Sequence, residues 1–378
     1  MEHDVAWKKY DEADLEALEQ LTAEYIDFIS DNKTERECAA AAIALAEERG
    51  YRPLDEAVRE GRALRAGDKV WAQAHGKALI LAHLGSAPLA EGFNILGAHL
   101  DSPRLDLKQN PFSESNGLAH LDTHYYGGIK NYQWVTLPLA LHGVIAKTDG
   151  TVVEVNVGED AGDPVFCVTD LLIHLAGKQM GKKASEVVEG EDLDILIGNR
   201  PLVIEKDDAD GADDGDAAAG VDPAATEVDA ADRPVYEKLA EKEPVKAFAL
   251  KLLAEKYGIA EEDFLSAEIE AVPAGRARDL GFDRSMVIGY GQDDRVCAYT
   301  SLMAQLALAD AALEKTGMCV LVDKEEIGSV GATGMASQFF ENTVAEIMEL
   351  AGEGGPLPLR RALAASSMLS SDVSAGFD

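Results

Sequence analysis

Residues 317–331, GMCVLVDKEEIGSVG, decide how the rest of the chain is read. A run of apolar residues, Met318 to Val322, stops abruptly at Asp323, and two adjacent glutamates, Glu325 and Glu326, precede Gly328 and Ser329. The run is too short for a helix, and its sharp boundary predicts a buried strand. Parallel strands covered on both faces read as continuously apolar in this way. Carboxylates just past the carboxyl end of such a strand lie where open α/β sheets place their ligands. One glutamate can hold a metal while its unligated neighbour moves a proton. The duller reading is an acidic helix start, where carboxylates favour the positive end of the dipole.

The chain has 378 residues, enough for a large core and more than one domain. No run approaches the ~20 apolar residues that span a bilayer. The first residues, MEHDVAWKKYDEADLEALEQ, lack an apolar signal core and point to a cytoplasmic protein. Cys38, Cys167, Cys297 and Cys319 are scattered without CxxC spacing, which argues against a disulfide framework or a cysteine zinc site. With 69 acidic residues against 34 basic ones the net charge is −35, which excludes a phosphate-neutralising nucleic-acid binder.

Leu15, Leu18, Leu21, Tyr25 and Phe28 recur at helical spacing across residues 11–31. A second helix starts at Thr34, with Glu37 at the capping-box position, and stops at Gly50. KVWAQAH and KALILAHLG flank His75-Gly76 as a hairpin. A short apolar strand, Phe93 to Ala98, then runs into His99, with Asp101 two residues on. From about Arg104 the texture becomes aromatic and β-branched, predicting a mainly β insert over 104–245. Within it, residues 206–232 are acidic, low in complexity and almost without apolar mass, so a disordered loop is expected there. The α/β part is expected over 1–103 and again over 246–378. Its second half contains a helix from Val245 to Tyr257, QDDR opening a long helix, the glutamate strand, and a final SSDVSAGFD. The sequence stops directly after Asp372 and Asp378 without a tail, and further chain is expected beyond it.

Four clusters share one kind of position: His99 with Asp101, Asp293 with Asp294, Glu325 with Glu326, and Asp372. Three follow short apolar strands and one precedes a helix. Carboxylate oxygen and imidazole nitrogen suit zinc, cobalt or manganese. Asp101 can receive the second imidazole N–H of His99 and fix its tautomer. One bridging aspartate with a carboxylate and an imidazole on each side describes a two-metal hydrolase site. Singly, His99 reads as a core histidine, Asp293 or Asp294 as a helix cap, and Asp372 as a turn residue. His75 and His83 have no partner motif and read as structural.

GAHLDSPRLDLKQNP, QDDR, DKEEIGS and SSDVSAGFD, in that order and spacing, resemble the M18 family of metalloaminopeptidases. THYYGGIKNYQWVTLPLALHGV resembles its bacterial branch more than the eukaryotic aspartyl aminopeptidases. The resemblance spans essentially the whole chain. It implies an α/β fold: a zinc-peptidase (phosphorylase/hydrolase-like) mixed-sheet α/β/α domain interrupted by a β-rich oligomerisation domain. It also implies two Zn2+ per subunit, with Co2+ or Mn2+ as substitutes, and a tetrahedral homododecamer whose sites face an interior chamber.

By residue, the resemblance makes His99 and Asp372 ligands of one metal, Asp293 the bridging carboxylate and Glu326 a ligand of the second metal. Glu325 becomes the general base and Asp101 the residue that orients His99. His174, in IHLAGK, resembles a histidine that reaches from the insert into a neighbouring subunit's site. The family's final histidine ligand, the partner of Glu326, is expected beyond Asp372. The implied activity is hydrolysis of the N-terminal residue, acidic or aliphatic, from short peptides. The rivals are a di-metal deacylase or carboxypeptidase with the same ligands, and a catalytically silent assembly or cargo protein of the same fold.

Overall fold

The computed structural model describes residues 5–204 and 234–374. The acidic stretch 206–232 lies outside them, as does the end of the last motif from residue 375. The chain divides into two compact units: Met1–Arg104, Tyr125–Ile129 and Val272–Asp378 form one, Leu105–His124 and Lys130–Ala271 the other. The helix Pro244–Tyr257 and most of the strand Ala267–Pro273, expected to resume the α/β part, therefore belong to the second unit. Pairing explains this difference. Glu270 and Ala271 bond antiparallel to Asp106 and Leu105, and the Glu114 carboxylate accepts the amides of Val245 and Lys246 at the helix start. The short segment Tyr125–Ile129 departs from the expectation in the other direction, returning to the first unit from within the insert.

The first unit is built on a six-stranded sheet. Its order is Arg52–Pro53, Lys69–Ala74, Ala78–His83, Gly317–Val322, Asn94–His99 and Ser367–Ser370. The central strand Gly317–Val322 runs antiparallel to Ala78–His83 and parallel to Asn94–His99, so the sheet is mixed. Lys69–Ala74 and Ala78–His83 make the expected hairpin across the three residues 75–77, with His75 and Gly76 both at positive φ.

Alternation of side chains along these strands supplies two cores. Leu79, Leu81, Cys319 and Leu321 face one way, against Phe28, Ile29, Ala42, Tyr299 and Leu302 of the helices Glu12–Asp31, Glu35–Glu48 and Gln292–Ala307. Ile80, Ala82, Met318 and Val320 face the other, against Leu54, Val344, Ile347 and Ala362 of the helices Leu54–Glu60, Phe339–Leu350 and Pro356–Ala365. The result is a three-layer α/β/α sandwich in which each fully buried leucine contributes about 1.5–3 kcal/mol. Both N-terminal helices open on reciprocal capping boxes, Asp11 with Asp14 and Thr34 with Glu37. The long helix expected to open with QDDR runs from Gln292 to Ala307.

The second unit is a seven-stranded sheet. Its order is Val152–Val157, Leu139–Ala146, Ala267–Pro273, Arg104–Ser115, Leu118–Tyr126, Ile195–Gly198 and Cys167–Val168. Leu105, Leu121, Leu139, Ile145, Leu193 and Ile195 are buried in it, and Phe112 meets Phe264 edge to face at 4.8 Å. No helix among the described residues is long and apolar enough to cross a membrane.

Candidate metal centre

Three adjacent parallel strands of the first unit end at one edge of the sheet. Val322 stands opposite His99 in register, and Ser370 stands opposite Gly97, so the segments leading to Glu325, Glu326 and Asp372 leave the sheet beside the imidazole. His99 is the last residue of its strand and only 3% exposed. Its Nδ1 lies 2.9 Å from the backbone oxygen of Asp101 and 3.3 Å from the Asp101 carboxylate. The closer acceptor is thus the main chain, and Nδ1 carries the proton. Nε2 has no hydrogen-bond partner, although it is buried. It faces carboxylate oxygens of Asp293 at 3.3 Å, Glu325 at 3.8 Å and Asp372 at 4.0 Å.

The glutamate pair is set by a turn anchored on one buried aspartate. Asp323, wholly buried, accepts the Thr333 hydroxyl and the Lys324 amide at 2.5 and 2.7 Å. Lys324 is left-handed, with φ +69°, and Glu325–Ile327 form one 3₁₀ turn. Extended neighbours would point apart; the turn separates the two glutamates instead and aims both amides one way. Those amides donate to the two oxygens of Asp101, each at 3.1 Å. The Tyr126 hydroxyl donates to the same carboxylate at 2.7 Å. Gly127 approaches this turn closely, for a Cβ there would lie 3.2 Å from Cβ of Glu326, and its own φ is +72°.

Asp293 and Asp294 do not cap the helix that they open. Gly291 holds that position in a left-handed conformation, and both aspartates have non-helical dihedrals. The Asp293–Asp294 peptide bond is cis. Arg295, 1% exposed, ties the segment down by donating from Nε to the Leu100 oxygen at 3.0 Å. A Cβ on Gly291 would meet the Arg295 guanidinium at 2.4 Å, so the position requires glycine. The Ser102 hydroxyl donates to the Asp293 backbone oxygen at 2.7 Å.

Two overlapping groups of ligand-type atoms result, each within 4.8 Å of one another: His99, Asp294 and Asp372, and His99, Asp293 and Glu326. Their electrostatics are those of crowded carboxylates. Burial, then the Asp293 charge, raises Glu326 to about 7. Burial raises Asp294 to about 6. Neither Asp294 oxygen finds an aligned donor, although the Cys297 thiol and the His99 backbone are near enough to oppose the rise. Burial would lower His99, but the Asp101 hydrogen bond and charge, with Asp294, together lift it to about 9. An orphaned imidazole nitrogen ringed by underneutralised carboxylates is a donor set that fits zinc.

The first unit therefore brings together His99, Asp101, Asp293, Glu325, Glu326 and Asp372, all named from the sequence. His174 lies in an exposed turn of the second unit. Sequence reasoning left Asp294 without a role and missed Asp323 and Tyr126. Asp294 stood in the QDDR cluster already; nothing local marked the other two.

The family model described as "Aminopeptidase I zinc metalloprotease (M18)" matches residues 28–378. A probable M18 family aminopeptidase 1 of Clostridium acetobutylicum is 55% identical over 377 residues, which span all of this chain and 73% of that one. The crystal structure of aminopeptidase I from the same organism superimposes with a TM-score of 0.82 at 51% identity, over the whole of this chain and 74% of that one. An M18-family aminopeptidase structure from Thermotoga maritima gives a TM-score of 0.83 at 37% identity, again over the whole chain and 74% of the other.

Proposed function

Because the chain belongs to the M18 family of zinc aminopeptidases, we propose that it releases the N-terminal residue of short peptides with Glu325 as the general base. The observation that supports this reading is the convergence of five carboxylates on the unpartnered Nε2 of His99. His99 and Asp372 would hold one metal, Glu326 the second, and Asp293 both. Asp294 shares the group of His99 and Asp372, and its buried, undonated carboxylate supports a place beside the first metal. Zinc bound there, or cobalt or manganese in its stead, would polarise the scissile carbonyl and lower the pKa of the attacking water.

The remaining work falls to side chains of this chain. Glu325 accepts the proton of the water as its oxygen bonds to the carbonyl carbon. It then delivers that proton to the amine nitrogen as the C–N bond breaks. Its side chain is nearly half exposed, which leaves it open to substrate and solvent. Asp101 keeps Nδ1 of His99 protonated and Nε2 turned toward the carboxylates.

His174 supports a shared site between subunits. Around it Leu171, Leu172, Ile173 and Leu175 are each more than half exposed, an apolar stretch suited to cover by a second copy. The assembly in this reading is the tetrahedral homododecamer, and the location is cytoplasmic, in keeping with four free cysteines.

The rival deacylase and carboxypeptidase readings are separated by the substrate's amino group. Peptides with free N-termini should be cleaved from that end, and their N-acetylated counterparts should be inert. Equal rates on both would overturn the aminopeptidase reading, and zinc loading without turnover of any peptide would favour the silent assembly protein.

A further inference from the structure

Asp101 is completely buried, and a carboxylate in that position is tolerated only when donors replace water. Four donors do so. Oδ1 faces the Glu325 amide at 3.1 Å and His99 Nδ1 at 3.3 Å, and Oδ2 accepts the Glu326 amide at 3.1 Å and the Tyr126 hydroxyl at 2.7 Å. Three of these donors belong to residues that the reaction itself requires. Tyr126 alone has no part in it, yet its bond is the shortest.

The tyrosine is itself held firmly. It is 5% exposed, the Arg104 guanidinium lies 3.8 Å from its ring centroid, and the Lys324 ammonium lies 5.2 Å from it. Arg104 is in turn bonded to the fully buried Glu35 at 3.3 Å. The hydroxyl thus has one available direction, toward Asp101.

We propose that Tyr126 is a positioning residue: its hydroxyl orients the Asp101 carboxylate, through which the His99 ring and the Glu325–Glu326 backbone are fixed relative to one another. The proposal rests on the aminopeptidase reading of the site. Without the hydroxyl, Oδ2 of Asp101 keeps only one backbone donor, and the carboxylate can swing away from one of the two amides. Glu325 would then spend less time within reach of the attacking water, where small displacements weaken catalysis steeply.

Tyr126→Phe removes one O–H and keeps the ring, its burial and both cations. At saturating zinc and peptide, kcat should fall about tenfold or more, the factor that one hydrogen bond to a charged acceptor sustains, while KM stays within about twofold. In zinc-free protein, hydrogen exchange should accelerate in the peptide covering Glu325 and Glu326 and remain unchanged in one covering Ala78–His83. Unchanged exchange at the glutamates with a kcat within about twofold of wild type would overturn the proposal. Faster exchange in both peptides would also overturn it, since that marks a general loosening. Glu325→Gln, assayed beside it, separates the two levels. If that variant keeps full activity, the reading of the site fails, whereas an inactive Glu325→Gln beside a neutral Tyr126→Phe sinks only the positioning role.

Discussion

Val322 and His99 are register partners on adjacent parallel strands, so the chain that carries the glutamates leaves the sheet level with the imidazole. Glu325 reaches 3.8 Å from Nε2 of His99, and its amide is tied to Asp101. Geometry of this kind makes the roles of the neighbouring glutamates separable by single substitutions.

Glu325→Gln should retain zinc and lose turnover by roughly 10²–10⁴-fold, the range of a general acid–base group. Steady-state kinetics paired with metal analysis on one preparation checks this. Full activity at normal zinc content would remove Glu325 from the chemistry.

Glu326→Gln should behave in the opposite order, losing metal first. Outer partners of metal ligands are worth about 10–100-fold in affinity, and a direct ligand should be worth at least as much. Competition with a chromophoric chelator reads the change. A variant that still holds its full zinc complement against the chelator would contradict the ligand role.

Zinc-free protein should become less stable as pH rises from about 5 to about 9. Glu326 and Asp294 stand at about 7 and about 6 in the fold against ordinary values of 4.5 and 3.8. Raised pKa values give stability that is complete below the ordinary value and lost as pH passes the folded one. His99, lifted from 6.5 to about 9, adds a contribution lost over the upper part of the window. Zinc held by these three groups would need them deprotonated, so its stabilising effect should grow across this range. Melting temperatures with chelator and with zinc at each pH provide the measurement, and a zinc-free curve rising toward pH 9 relative to Glu326→Gln would reverse the sign.

Leu81→Ala should destabilise the protein by about 2–5 kcal/mol without altering metal affinity, because Leu81 is wholly buried among helices on one face of the sheet. Denaturant titration tests the first half and chelator competition the second.

The sequence disclosed the residues that gather at the site more readily than the framework that aims them. The apolar strands carrying His99 and the DKEE turn are continuous local signals, and so are the capping boxes at Asp11 and Thr34. The turn itself was not legible as such. Whether Glu325 and Glu326 stand extended or in a 3₁₀ turn depends on Lys324 taking a left-handed conformation, which the distant Thr333 secures through Asp323. Likewise the adjacency of Asp293 and Asp294 does not reveal that one is wholly buried and the other largely exposed, since irregular dihedrals divide them. Tyr126 was hidden for a simpler reason: a tyrosine in a β-rich stretch looks like core, and its partner lies 25 residues away. The boundary near residue 246 misled because a helix and a strand signal α/β character whichever sheet they join.

The return of Tyr125–Ile129 to the first unit has a consequence for how this protein can be divided. Excising everything between Leu105 and Ala271 would look like the removal of one appendage. It would also delete a hydroxyl 2.7 Å from Asp101. A minimal peptidase cut from this chain would therefore need that five-residue loop grafted back before its glutamate turn could be expected to hold its aim. The first unit is contiguous in space but not along the gene.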